Sequence, residues 1–234
     1  MKKLFLLIIT LSLLLSSCVV SEKLTLNEDK SGESLSDIII DPFFISVLND
    51  LSSISDKSGS DIMDDAMVGF ASSLSSSSSS KNVSLLTTAD EKRYVISFSY
   101  SSLEKLLTDL NNGKSNTLLK ITDNSLSFNL DINNYGELKS VIPLLSDRNF
   151  EVYGPEYSYG MSEEEYIEMI TFLLSEESED ALKSSYVSVD ITLPGKIKSV
   201  KGAEIKGEKE VVFTFPIIDF LLLNEPLSFS IEWN

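Results

Sequence analysis

Four stretches of this chain alternate apolar and polar residues with a period of two, and that rhythm limits the fold more than any other feature. Tyr94, Ile96, Phe98 and Tyr100 are separated by Val95, Ser97 and Ser99. Leu126, Phe128, Leu130 and Ile132 repeat the pattern, as do Val187, Val189, Ile191 and Leu193, and Leu227, Phe229, Ile231 and Trp233 close the series. Successive side chains of a strand point to opposite faces, so each stretch offers one apolar and one wet face. Sheets wet on one side are usually antiparallel. Shorter strands are expected at residues 24–27, 83–88, 118–122, 196–200 and 211–215. Asp123-Asn124 and Pro194-Gly195 are expected hairpin turns between neighbours.

Helices are expected between the strands. Leu103, Leu106, Leu107 and Leu110 fall on one helical face, with Ser101 and Glu104 as a capping box and Gly113 as the stop. Ser162 and Glu165 repeat that box before Tyr166, Ile167, Ile170, Leu173 and Leu174. A helix should follow Asp41-Pro42, turning Phe44, Val47, Leu48 and Leu51 inward, and Tyr135 to Leu145 are helix-like through Leu138, Val141, Ile142 and Leu145, with Pro143 expected to end or kink them. Strands and helices mix without regular βαβ alternation. The expected class is therefore α+β, an antiparallel, one-sided β-sheet packed against several amphipathic helices. Residues 23–234 read as one domain, with the serine-rich stretch 72–81 as a flexible loop, because such a tract offers too little apolar surface to offset its ordering entropy.

The N-terminus carries a different signal. Lys2 and Lys3 precede an apolar run from Leu4 to Leu15, about a dozen residues where a membrane span needs roughly 20. That is the layout of a secretory signal peptide, residues 1–17. The run closes on Leu15, Ser16 and Ser17 followed by Cys18, the form of a lipobox, in which the cysteine thiol accepts a diacylglyceryl group. Cys18 is the only cysteine in the chain. Once acylated it leaves no thiol for a disulfide or a thiolate metal site, and its acyl chains would hold the protein on a membrane, at about 0.8 kcal/mol per buried CH2. Residues 18–22 read as a lipidated end and short tether. Val19 after Cys18 fits outer-membrane sorting in a diderm cell, so the expected location is the cell envelope.

Residues 1–17 contain two lysines and no acid, which leaves 17 basic against 36 acidic side chains in the remainder. Such a surface repels nucleic acid. The chain has no histidine, which removes imidazole catalysis and imidazole metal sites. The runs from Asn27 to Gly32 and from Asp131 to Gly136 resemble calcium loops but place Ile38 and Ile142 where a bidentate acid belongs. They read as turns. Glu163, Glu164 and Glu165 suit the first turn of a helix through its dipole. No cofactor, metal site or catalytic residue is expected, and the chain reads as a non-enzyme.

Two segments stand apart. Residues 153–160 carry Tyr153, Tyr157 and Tyr159 in an irregular loop, a composition suited either to recognising a partner or to packing the loop on the body. Residues 215–226 hold Ile217, Phe220, Leu221, Leu222 and Leu223 between two prolines, and read as a short buried helix or as a flap on an apolar pocket. The lipobox, the early Asp29-Lys30-Ser31-Gly32, and the run from Val189 to Ile197 followed by residues 209–215 resemble the LppM-type family of bacterial lipoproteins over about a third of the chain. The tyrosine loop and the Leu221-Leu222-Leu223 run are more similar to uncharacterised lipoproteins of spirochaetes. The LppM-like resemblance implies an α+β domain close to the membrane with an apolar groove able to hold a lipid. It transfers no functional residue.

Three roles follow. The first is a membrane-anchored envelope lipoprotein with a non-catalytic binding or structural role, recognising an envelope protein or glycan through its loops. The second is a carrier of a lipid or another apolar ligand, marked by a cavity between sheet and helices near residues 217–223. The third is an enzyme with carboxylates gathered from distant segments.

Overall fold

The computed structural model describes residues 18–51, 58–88, 92–146 and 151–234. The expected export segment, with Leu15, Ser16 and Ser17, lies outside these residues, and so does the side chain of Leu51. The class is α+β as expected, but the strands form two sheets rather than one. The larger has the order β3 (Ser80–Thr88), β4 (Arg93–Tyr100), β2 (Gly32–Ile39), β1 (Val19–Leu26), β7 (Tyr186–Thr192), β10 (Glu210–Pro216) and β9 (Glu204–Ile205). The smaller runs β5 (Leu119–Ile121), β6 (Ser125–Leu130), β11 (Leu227–Trp233) and β8 (Ile197–Lys201). Neighbours are antiparallel except β1 and β7, which run parallel with Val19 opposite Tyr186.

Asp123-Asn124 turns β5 into β6, with Ile121 opposite Leu126. Pro194-Gly195 makes no hairpin, contrary to expectation. It carries the chain from β7 in the large sheet to β8 in the small one, passing so close to the C-terminus that a Cβ at Gly195 would collide with the Asn234 carbonyl oxygen.

The helices are α1 (Pro42–Leu51), α2 (Gly59–Ser76), α3 (Leu103–Leu110), α4 (Tyr135–Val141), the single turn α5 (Pro155–Ser158), α6 (Glu163–Leu173), α7 (Glu177–Ser184) and α8 (Ile217–Leu222). Only Ser77 to Ser79 of the serine tract form a loop. Ser72 to Ser76 complete α2, and the Ser73, Ser75 and Ser76 hydroxyls bond back to the carbonyls four residues earlier, the local bond that lets serine persist in a helix. The hydroxyls of Ser77 and Ser79 then donate to Asp109 at 2.8 and 2.7 Å, and Ser80 opens β3. The α3 cap also differs from expectation. Ser102, not Ser101, accepts the Lys105 N–H, and the Glu104 carboxylate instead accepts the Ile121 N–H at 2.9 Å. The box of Ser162 and Glu165 forms as expected on α6.

The inner face of the large sheet is covered in two ways. Ile191, Val211 and Phe213 pack against Leu126, Phe229 and Ile231 of the small sheet, each fully buried side chain contributing about 1.5–3 kcal/mol. On the other half, Ile96 and Phe98 of β4 meet Leu74 of α2 and Leu106 of α3. Helices α6, α7 and α8 form a third cluster through Tyr166, Ile170, Leu182 and Ile218. The expected tether is absent, because β1 begins at Val19 and Cys18 is already part of the body.

Candidate functional site

Cys18 sits where β1 and β7 start and β2 ends, and backbone on both sides holds it. Its N–H donates to the Ser185 hydroxyl at 3.0 Å, its carbonyl accepts the Tyr186 N–H at 3.1 Å, and its sulfur accepts the Asp41 N–H at 3.2 Å. Ser185 is buried, and its hydroxyl donates a hydrogen bond to the Ala181 carbonyl at 2.6 Å. The Cys18 side chain packs beside Ile40, Ile45, Leu48 and Met63. Burial pushes the thiol up to about 11. In the folded domain the sulfur is therefore protonated at neutral pH and a poor nucleophile.

Behind Cys18 lies a cavity of about 240 Å³, walled by Phe44, Val47 and Leu48 of α1, Tyr166 and Ile170 of α6, Leu174, and Phe220 and Leu221. A second cavity of about 400 Å³ lies between the two sheets, lined only by apolar residues, among them Val20, Leu24, Phe128, Val189, Phe213 and Phe229. Leu145 and Phe220 line both, so the two spaces adjoin at that pair. Both spaces are partly open to solvent, and a concave, apolar space is the usual form of a small-ligand site. The larger space falls within the volume range of ligand pockets.

The two segments that stood apart in the sequence meet here. The Ser158 hydroxyl of α5 donates to the Leu221 carbonyl at 2.6 Å, and Asn224 accepts the Gly160 N–H and donates to the Met161 carbonyl, both at 2.7 Å. Within the tyrosine loop, Tyr153 turns inward to the near cavity, and its carbonyl accepts the Tyr166 hydroxyl at 2.7 Å. Tyr157 and Tyr159 stay 60% and 55% exposed. Within the C-terminal segment, Ile217, Phe220 and Leu221 reach the cavities, whereas Leu222 and Leu223 are buried in the core. The helix α8 is thus both a buried helix and a wall. Phe220 packs on Tyr135 with ring centres 6.0 Å apart, and Lys139 of α4 ties this side down through Glu151 at 2.5 Å and Glu156 at 2.7 Å.

No protein-family model matches the chain, and comparison with curated proteins finds no match. Among solved structures, the chain is similar to the folded domain of LppM from Mycobacterium tuberculosis, with a TM-score of 0.40 and 12% identity over 93% of this chain and 89% of that one. A likeness of that size assigns neither family nor function.

The other sequence candidates have structural explanations. In the Asn27 to Gly32 run, Asp29 accepts the Ser31 N–H at 3.0 Å, and in the Asp131 run Asp131 accepts the Asn133 N–H at 2.8 Å. Both are Asx turns. Among the described residues no three Cys, Asp or Glu side chains gather where they could hold a metal ion, and no helix is long and apolar enough to cross a membrane. Sequence reasoning missed Glu22. It lies between Val20 and Leu24 on β1, and its carboxylate accepts the Ser34 hydroxyl at 2.6 Å and that of Ser36. Burial raises its pKa, and the two hydroxyl bonds oppose that rise.

Proposed function

We propose that this protein is a non-catalytic lipoprotein of the cell envelope, exported through residues 1–17 and acylated at Cys18, whose domain holds the apolar chain of a lipid. The pair of adjoining apolar cavities meeting at Leu145 and Phe220 carries this reading. In acylation the Cys18 sulfur exchanges its proton for the diacylglyceryl group of a phospholipid, and the glycerol phosphate headgroup leaves with that proton. The high thiol pKa in the fold fits acylation of the chain before β1 docks. Phe172, 90% exposed, and Leu173 lie beside Leu174, which lines the near cavity. This exposed apolar step suits contact with a lipid surface.

A second reading, recognition of an envelope partner, has the exposed Tyr157 and Tyr159 in its favour. It does not account for the cavities.

Residues 18–234 contain every described element, so the unacylated domain can be titrated with a fluorescent long-chain fatty acid that brightens in apolar surroundings. Saturable binding is expected, weakened several-fold by Leu145→Trp at the junction of the two spaces. Emission that rises without saturation, or that ignores the substitution, would remove the lipid-holding role.

A further inference from the structure

We propose that the near cavity is occupied by one acyl chain of the diacylglyceryl group borne on the sulfur of Cys18 itself, so that the lipoprotein withdraws one of its own chains from the membrane. This rests on acylation at Cys18 as read above. The occupant is fixed by where the cavity lies. Cys18 is half-buried and belongs to the cavity wall, and no tether separates it from β1. The glyceryl group on the sulfur therefore sits at the mouth of an apolar space, and its ester-linked chains start a few bonds beyond.

The hydrogen bonds around Cys18 are compatible with modification. The Asp41 N–H uses a lone pair of the sulfur, which a thioether keeps. The bond to Ser185 uses one N–H of the Cys18 nitrogen, which an acylated amide also keeps. The Cys18 carbonyl, bound by the Tyr186 N–H, is untouched. The lipidated residue can keep the position seen here while its chain runs between α1, through Val47 and Leu48, and α6, through Ile170. A group tethered at the wall acts at an effective concentration of about millimolar order, so it outcompetes free lipid for the near space and leaves the space between the sheets for a second apolar ligand.

The test uses the full chain, produced in bacteria fed a long-chain fatty acid that carries a diazirine near its middle. The lipoprotein is purified in mild detergent, checked by mass for acylation at Cys18, irradiated and digested. Cross-links from the Cys18 lipid to peptides holding Val47 and Leu48 or Ile170 and Leu174 of the same chain are expected. Val47→Trp, which narrows the space from a half-buried position on α1, should cut their yield several-fold while the melting temperature shows the fold retained. Acylated protein whose cross-links all go to detergent or lipid would overturn the inference and leave the fatty-acid titration of the bare domain standing. Absence of any acyl group on Cys18 would overturn both the inference and the lipoprotein reading.

Discussion

The two ends of strand β1 are built in opposite ways. At the Leu26 end the chain is packed to contact. The Tyr100 hydroxyl donates to the Thr25 carbonyl at 2.7 Å, Leu26 is 2% exposed, and a Cβ on Gly32, opposite Leu26, would collide with both the Thr25 carbonyl oxygen and the Tyr100 hydroxyl. At the Cys18 end, eight residues away and just before the strand begins, the same backbone order is kept by hydrogen bonds while the side chains leave an apolar space. A fold that can pack one end so closely does not leave the other open for want of side chains. Under the proposed function, one end is the rigid one and the other takes the ligand.

If that contrast is real, substitutions along β1 and its neighbours should differ in a set order. Gly32→Ala should cost the most, about 3 kcal/mol, because backbone must move to admit one methyl group. Urea denaturation of the 18–234 domain measures it, and a loss under about 1 kcal/mol would show the Leu26 end to be looser than described. Ser185→Ala removes the acceptor of the Cys18 N–H and a donor to Ala181, with a smaller expected loss of about 1–2 kcal/mol. The same denaturation measures it, and an unchanged stability would mean that Ser185 does not hold the cysteine in place.

Glu22, midway along the strand, should show the smallest effect and a distinctive pH dependence. Burial raises its folded pKa above the unfolded value of about 4.3. The folded state therefore binds the proton more tightly, and stability falls as pH rises from the unfolded to the folded pKa, the penalty being complete above the latter. Glu22→Gln should accordingly stabilise the domain at pH 8 and lose that advantage near pH 4. Equal effects at both pH values would show that the carboxylate is solvated.

Much of this was legible in the sequence where burial is one-sided. β4 and β11 read directly because Tyr94, Ile96, Phe98 and Tyr100, and Leu227, Phe229, Ile231 and Trp233, all face a core. β2 escaped because its inner positions are Gly32, Ser34 and Ser36, the partners of Tyr100 and Glu22, so the strand shows no apolar alternation. Helix α2 was hidden by serines whose hydroxyls bond to their own helix, although Met63, Met67, Phe70 and Leu74 lie on its packed side. Of the site, the identity of Cys18 and the apolar character of residues 217–223 were readable. Their meeting was not, because it depends on the parallel pairing of β1 with β7, two strands far apart in the chain, and such pairing leaves no local pattern.

The most direct measurement is native mass spectrometry of the 18–234 domain, purified gently from bacterial cytosol and compared with the same sample after delipidation. The account predicts a stoichiometric lipid mass that disappears on extraction, returns on adding the lipid back, and is several-fold less populated in Leu145→Trp. A single apo mass throughout, with no uptake of added envelope lipids, would contradict the claim that the Cys18 end of the molecule is built to hold an apolar chain.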